Sequence, residues 1–155
     1  MIRHVEIVDH PVDLASLMYR LPGVPLEDPA GLDSTPIHAG AVQWFLGVTR
    51  SVTRVDDDDV HTDDLWYEAH PTMAIKQLHE LADQAITRFD LVGLVLVHSI
   101  GRVPPGRASV AVGVAGRHRQ PMLDAPAWIM DRLKADVPIW KRETFRDGSR
   151  DWIHP

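Results

Sequence analysis

The sequence contains no cysteine, no long apolar run and no excess of positive charge. Without cysteine, disulfides, thiolate metal sites and thiol nucleophiles are excluded, and a cytoplasmic location fits. The longest nearly apolar run, over 91–97, is far shorter than the roughly 20 residues of a membrane helix, and the N-terminus lacks the apolar segment of a signal peptide. The formal net charge of −6 argues against a general nucleic-acid binder, so neither nucleic acid nor membrane is an expected partner.

Several catalytic signatures are missing as well. The segment around His79 and Glu80 has no second histidine at zinc-protease spacing, and the nine histidines show no pattern typical of metal ligands. Gly113 and Gly116 stand apart rather than in a glycine-rich phosphate loop, and no serine lies in a nucleophile elbow. We therefore expect no metal site.

What is present is the length and balance of one globular domain, which we expect to span residues 1–155. Of these residues, 45% are hydrophobic and 25% are charged. The acidic side chains are concentrated in one place, with four aspartates at 56–59 followed by Asp63 and Asp64. The ordinary interpretation of such a run is a solvated loop.

Hydrophobic periodicity predicts the element order β, α, β, β, α, β, β, α, β. The predicted strands cover 2–8, 40–48, 65–69, 93–100, 108–114 and an extended segment from 138, and the helices cover 14–19, a span from 70, and 120–135. Connections are expected over the proline-rich 22–38 and the acidic 50–62. This order predicts an α+β fold in which a mainly antiparallel sheet, with a hairpin over 91–116, carries two main helices packed on it.

The two main helices have different signals. The first opens at Pro71 and carries an apolar stripe of Ala74, Leu78, Leu81 and Ala85. The second has Leu123, Ala127 and Met130 on one stripe, with Met122, Ile129 and Leu133 on its neighbour. It also contains Pro126, so it either starts near Asp124 or is kinked.

Cationic side chains are gathered in the last third of the chain. His118 and Arg119 follow a strand and precede a helix, where free N–H groups and the helix dipole favour an anion. The alternative is an ordinary basic cluster on the surface.

Two lysines are the candidates for chemistry. Lys134 continues the stripe of Ala127 and Met130, which would hold its stem on the core and its amine at a cleft, where desolvation favours the neutral, nucleophilic form. The alternative is a lysine that extends to solvent at a helix C-terminus. Lys141 follows Trp140 and can share a pocket with Lys134 if the chain reverses between them; otherwise it is an exposed strand lysine paired with Glu143.

Several segments resemble the large, catalytic subunit of molybdopterin synthase. They occur in the family's order between about residues 40 and 152, and the ending that contains PIWKRE is the most specific: GAVQWFLGVTR at 40–50, YEAHPTMA at 67–74, HSIG at 98–101, Pro105-Gly106, His118-Arg119, Leu133-Lys134, PIWKRE at 138–143, Asp147-Gly148 and Trp152.

The resemblance implies an α/β-hammerhead fold and a role in molybdenum cofactor biosynthesis. Such a subunit is a sulfurtransferase that converts cyclic pyranopterin monophosphate into the dithiolene of molybdopterin. The sulfur comes from the C-terminal Gly-Gly thiocarboxylate of a small ubiquitin-like partner, and no metal or organic cofactor takes part. The family assembles as a homodimer of catalytic subunits with one small subunit at each end, a heterotetramer. The residues add only Trp128, as a possible exposed aromatic, to the case for a dimer.

Site residues follow from the same resemblance. Lys134 matches the catalytic lysine, Lys141 the second pocket lysine, and Arg50, His118 and Arg119 match residues that bind the anionic pterin. The sequence departs from the family pattern at Ser99, where the family has arginine, at Met122-Leu123, at Pro126 and in the aspartate-rich segment after Arg50.

Two other functions fit the same residues. The chain is alternatively a catalytically inactive paralogue that acts as a binding module for a ubiquitin-like partner. A third reading is another enzyme on this fold, with the lysines acting on a different anionic substrate. Product formation and affinity for a ubiquitin-like tail separate the three.

Overall fold

The computed structural model describes residues 1–21, 38–55 and 58–153, with the backbone alone at 53–55, 58–59 and 153. The predicted proline-rich loop lies outside these residues, apart from His38, as do Asp56 and Asp57. In the described part of the chain, no helix is both long and apolar enough to cross a membrane.

Nine strands and three helices occur in the described residues. In chain order they are β1 (Ile2–Val8), α1 (Leu14–Met18), β2 (Ala41–Val48), β3 (Val52–Val55), β4 (Asp58–Ala69), α2 (Pro71–Phe89), β5 (Leu91–Ser99), β6 (Gly101–Val103), β7 (Ala108–Gly116), α3 (Arg119–Asp136), β8 (Ile139–Phe145) and β9 (Arg150–Ile153).

The strands form two sheets. The first has the order β1-β5-β7-β2, and its central β5–β7 pair is the predicted hairpin, with Leu91 opposite Gly116. β1 joins this sheet in parallel with β5 and is the exception to its antiparallel pairing. The second sheet has the order β3-β4-β8-β9, and β6 also pairs with β4. The α+β class is therefore confirmed, although the strands divide into two sheets instead of one.

The helix α2 begins where its sequence predicts. His70 is the N-cap and its side chain accepts a hydrogen bond from the Met73 amide, while Pro71 occupies the first turn. The predicted apolar stripe is buried in the core, where α2 packs against β5, β1 and α3. At the other end, Asp90 adopts a left-handed conformation with φ of 50°, which stops the helix.

The helix α3 matches the predicted span of 120–135 within one residue at each end, and of the two predicted stripes only that of Met122, Ile129 and Leu133 is buried. It runs from Arg119 through the buried Pro126 to Asp136 and so begins before Asp124. Its core face is Met122, Ala125, Pro126, Ile129 and Leu133. The stripe of Leu123 and Ala127 points outward, and Leu123 is 54% exposed.

Two further expectations are wrong. The connection predicted over 50–62 contains the β3–β4 hairpin, in which Val52 pairs with His61 and Val55 with Asp58. The aspartates at 58 and 59 are therefore part of a strand and not of a loop. Trp128 is half-buried, with its ring 5.7 Å from that of Phe89 and the Arg88 guanidinium 5.3 Å away, so it is not an exposed aromatic that favours a dimer.

Candidate active site

A cavity of about 620 Å³ opens between the two sheets and the C-terminal half of α3. Its volume is within the range of sites that hold small organic ligands. One wall comes from β2, β5 and β7, and the opposite wall comes from β4 and β8. The last turns of α3 close one side with Met130, Leu133 and Lys134.

Three cationic side chains line this cavity: Arg50, Lys134 and Lys141. Arg50 follows directly after Thr49, whose amide donates to the Arg107 carbonyl at 3.0 Å and whose carbonyl accepts from the Gly106 amide at 2.8 Å. These backbone bonds fix the end of β2, and with it the start of the Arg50 side chain. Arg50 and Lys134 are exposed and Lys141 is half-buried, so the positive charge lies toward the mouth.

Lys134 reaches the cavity from the edge of α3 and not from its core face. It is in the last turn, where a cation is favoured by the helix dipole, and its neighbours Met130 and Leu133 share the lining. Because Lys134 is exposed, this chain by itself does not remove the amine from water, although the sequence predicted that it would. Within the described residues, Lys134 thus fits both alternatives: it extends to solvent at a helix C-terminus, and it lies at a cleft.

Lys141 lies on the inner face of β8, two residues from Glu143. Across the β4–β8 pairing it is directly opposite Tyr67. Glu143 is 6% exposed and accepts a hydrogen bond from the Thr62 hydroxyl, and the described ion pairs do not include one between Glu143 and Lys141. The alternative of an exposed Lys141 paired with Glu143 is therefore wrong for the described residues, because Lys141 is half-buried at the cavity and forms no ion pair with Glu143 there.

The deep part of the cavity is lined by buried neutral groups. His98 is 4% exposed, and burial lowers its pKa to about 4, although a hydrogen bond to the Ser99 carbonyl opposes the shift. Its ring lies edge-on to that of Tyr67, with the centroids 5.2 Å apart. Burial also raises the pKa of Tyr67, and the charge of Glu143 acts in the same direction, although the hydrogen bond to Ser109 opposes it. Both groups are thus held neutral near pH 7.

His118 and Arg119 are not part of this cavity lining. They are at the N-terminus of α3, where His118 is the N-cap and makes no side-chain capping bond. Lys134 is fifteen residues further along the same helix, which corresponds to about 22 Å of helix rise. His118 and Arg119 are both exposed. Within one copy of the chain, the structure therefore brings together three of the five predicted site residues and leaves these two apart.

Among the residues that the structure describes, Ser99, Met122, Leu123 and Pro126 lie outside the cavity lining. The Ser99 hydroxyl is fully buried and donates to the His10 carbonyl at 2.8 Å, so it ties the end of β5 to the segment after β1. Met122 and Pro126 are buried in the core against the first sheet, and Leu123 faces outward. These four residues therefore pack around the site or face away from it and do not line it.

Tyr67, His98 and Ser109 were not predicted as site residues. The first two occur in the segments that carry the resemblance, but their letters alone say nothing about a shared cavity. They meet where the two sheets face each other: Tyr67 on β4 donates to Ser109 on β7 and lies edge-on to His98 on β5. The packing of one sheet on the other was the missing information.

Comparisons with known proteins agree with this fold. The MoaE protein family profile matches residues 24–136. The molybdopterin synthase catalytic subunit of Emericella nidulans is 37% identical over 114 residues, which cover 74% of this chain and 56% of that protein. The chain thus matches little more than half the length of that relative.

Two solved structures have the same fold. Molybdopterin synthase from Staphylococcus aureus matches with a TM-score of 0.76 and 28% identity, covering 96% of this chain and 95% of that one. A chain from the complex of subunits 1 and 2 of molybdopterin-converting factor from Helicobacter pylori 26695 matches with a TM-score of 0.67 over 96% and 88% of the two chains. At 19% identity, this second likeness shows the fold alone.

The resemblance inferred from the sequence segments is therefore confirmed. The family match over 24–136 and the 37% identity to a relative across 74% of this chain show that the chain belongs to the MoaE protein family.

Proposed function

We propose that this chain is the catalytic subunit of a cytoplasmic molybdopterin synthase. It transfers sulfur from the C-terminal thiocarboxylate of a small ubiquitin-like subunit to cyclic pyranopterin monophosphate and so forms the dithiolene of molybdopterin. The observation that carries the proposal is the convergence of Arg50, Lys134 and Lys141 on one cavity. Both reactants are anionic, so a site with three cations at its mouth suits them.

The lysines have the roles that the reaction requires. Release of sulfur needs attack on the carbonyl carbon beside it, which places negative charge on the carbonyl oxygen. As a cation, Lys134 stabilises that oxygen. As a neutral amine, it either removes a proton from an attacking water or attacks the carbon itself. Once the sulfur is bonded to the pterin, the carbon–sulfur bond then breaks, the sulfur stays on the pterin, and the small subunit leaves as its carboxylate or as an amide of Lys134 that water cleaves afterwards. Lys141 is more enclosed than Lys134 and lines the same cavity, so it adds a second positive charge beside the reacting groups.

His118 and Arg119 enter the site from a second copy of the chain in this proposal. They lie about 22 Å of helix rise from Lys134, too far to contact one small substrate from the same copy. In a symmetric homodimer each site takes its lysines and Arg50 from one copy and the His-Arg pair from the other. His118 and Arg119, both exposed in one copy, then bind the phosphate of the substrate in the site of the other copy.

The direct test combines the chain, a thiocarboxylated small subunit and cyclic pyranopterin monophosphate, followed by an assay for the dithiolene. Product is expected only with all three components. Deleting the two terminal glycines of the small subunit should abolish transfer and leave most of the docking intact, because the tail must reach the lysines in an extended form. Stable binding of the small subunit without product would instead support the inactive binding module.

A further inference from the structure

The cavity is divided by charge and depth. Its cations are exposed or half-buried, whereas His98, Ser109 and Glu143 are each no more than 6% exposed. The half-buried Tyr67 connects these deep groups. We call Tyr67, His98, Ser109 and Glu143 the cavity floor. The hydrogen-bonding capacity of this floor follows from bonds that the structure records.

The proton positions of Tyr67 and Ser109 are fixed by a backbone carbonyl. The Ser109 hydroxyl is 3.3 Å from the Gly47 carbonyl oxygen, which has no proton, so Ser109 must donate there. Tyr67 Oη is 3.1 Å from Ser109 Oγ, whose only proton is already used, so Tyr67 must donate in turn. These two hydrogen bonds leave the Tyr67 phenol oxygen with free lone pairs and no free proton.

His98 is fixed by the same reasoning. Its Nδ1 is 2.7 Å from the Ser99 carbonyl oxygen, so Nδ1 carries a proton and donates it. The pKa of about 4 keeps the ring neutral, and Nε2 then has a lone pair and no proton. His98 is thus an acceptor toward the cavity that it lines.

Glu143 completes the set. Its carboxylate accepts from the Thr62 hydroxyl and retains further lone pairs. Thr49 is also in the lining, but its Oγ1 is buried from solvent and has no partner among the described residues. The hydroxyl therefore adds no donor at the surface of the cavity. The floor accepts hydrogen bonds and the cationic mouth donates them.

We propose that the cavity floor selects the N–H-bearing edge of a pterin ring, with Tyr67, His98 and Glu143 accepting its hydrogen bonds while the cations hold the anionic groups at the mouth. The inference rests on the proposed function and adds the orientation of the substrate to it. A ring edge that presents carbonyl oxygens in place of N–H groups would meet lone pairs on both sides. A site built in this way rejects such an analogue strongly.

Pterin and lumazine test this directly, because lumazine has a carbonyl where pterin has its amino group. Both fluoresce, so their dissociation constants are measured by titration at pH 7. The wild type should bind pterin about tenfold or more tightly than lumazine. Tyr67→Phe and His98→Phe should each reduce the ratio of the lumazine to the pterin dissociation constant at least about threefold. His98→Gln, with an amide oxygen near the Nε2 position, should retain most of this preference.

Three controls separate selection from general damage. Tyr19→Phe changes the other tyrosine of the chain, which is 60% exposed, and should leave both constants unchanged. Arg50→Ala should weaken binding of the phosphorylated substrate and leave the pterin-to-lumazine ratio intact. Melting temperatures confirm that each variant is folded. If His98→Phe does not fold, Tyr67→Phe still tests the proposal.

Equal affinity of the wild type for the two rings would overturn the proposal, as would a ratio that survives in both phenylalanine variants. The dithiolene assay is independent of this result. Ring selection without product keeps the floor assignment and rejects sulfur transfer, whereas product without selection keeps the proposed function and rejects the floor.

Discussion

Lys141 and Tyr67 are cross-strand partners in the antiparallel pairing of β8 with β4, and both side chains line the cavity. Because side chains alternate along a strand, their neighbours Arg142 and Trp66 form the next pair on the opposite face, where the guanidinium lies 5.9 Å from the indole. The same two strands therefore hold a polar cavity wall on one side and a cation–π pair on the other. Any one-residue slip in this register would exchange the two faces.

The first prediction concerns the lysines. Lys134→Ala should fold, dimerise and bind the small subunit but give no detectable dithiolene, and Lys141→Ala should be impaired less completely. Because Lys134 is exposed, its loss should change the free energy of unfolding by no more than about 0.5 kcal/mol. Lys134→Arg keeps the charge without the nucleophile, so it tells the two roles apart.

Product formation and melting temperature should be measured on one preparation of each lysine variant. Near-normal activity of Lys134→Ala would contradict its assignment. The exposed Lys76, on the outer side of α2, gives a matched control, and Lys76→Ala should leave activity unchanged.

The second prediction tests sharing of the site between copies. Arg119→Ala alone should weaken substrate use about 10–150-fold, because a charge-assisted hydrogen bond is lost. In a purified mixed dimer of Lys134→Ala and Arg119→Ala, one site has both defects and the other has neither. Such a dimer should recover about half the wild-type activity, as expected for one of two equivalent sites.

The mixed dimer has a clear opposite outcome. If each site took all its residues from one copy, both sites would carry one defect and no recovery would occur. The arrangement requires a homodimer, which light scattering of the wild type measures. A stable monomer at micromolar concentration would count against the whole arrangement.

The third prediction is a loss of stability in mild acid caused by His98. Its pKa is about 4 in the folded chain and about 6.5 when unfolded, so the unfolded state binds more protons between these values. The stabilisation is fully present above pH 6.5, falls as the pH decreases, and is lost near pH 4. Between pH 6.5 and 5 the loss should be roughly 2 kcal/mol.

Urea unfolding at several pH values measures this effect. The other histidines titrate in every variant, so the informative quantity is the difference between wild type and His98→Gln. That difference should grow with pH between 4 and 6.5 and then stay constant. A difference that does not change with pH would show that His98 is not the group responsible.

The fourth prediction concerns packing beneath the first sheet. A Cβ added at Gly113 would lie 2.6 Å from two carbons of the Trp44 indole, which is closer than atoms tolerate. Gly113→Ala should therefore lower the free energy of unfolding by about 1–3 kcal/mol. Trp44→Phe in the same chain should return part of that loss, and a double-mutant cycle measures the coupling. Additive effects of the two changes would contradict the clash.

Local signals predicted local structure well. The start of α2 at Pro71 and its buried stripe from Ala74 to Ala85 depend on residues close in sequence, and both are confirmed. The β3–β4 hairpin was missed because aspartates have low strand propensity, while the pairing there uses the backbone. The span predicted for α3, 120–135, is confirmed within one residue at each end, and Pro126 lies inside the helix in a buried position.

In the candidate site, too, local features were predicted and long-range contacts were not. The meeting of Lys134 with Lys141 was predicted from their spacing across the reversal after α3, and the structure places both at one cavity. The separation of Arg119 from Lys134 follows from the length of α3, whereas the resemblance assigned both residues to one pocket. The floor depends on contacts among four separate strands, which periodicity does not contain.

The parallel pairing of β1 with β5 has a consequence for how a newly made chain reaches this structure. Nearly every residue of β5 is buried, and β1 covers one of its two backbone edges. Such distant pairing forms slowly because a long loop must close first, and an open strand edge can pair with other chains in the meantime. Since synthesis proceeds from the N-terminus, β1 has already left the ribosome when β5 emerges, so the protecting strand is made before the edge that it protects.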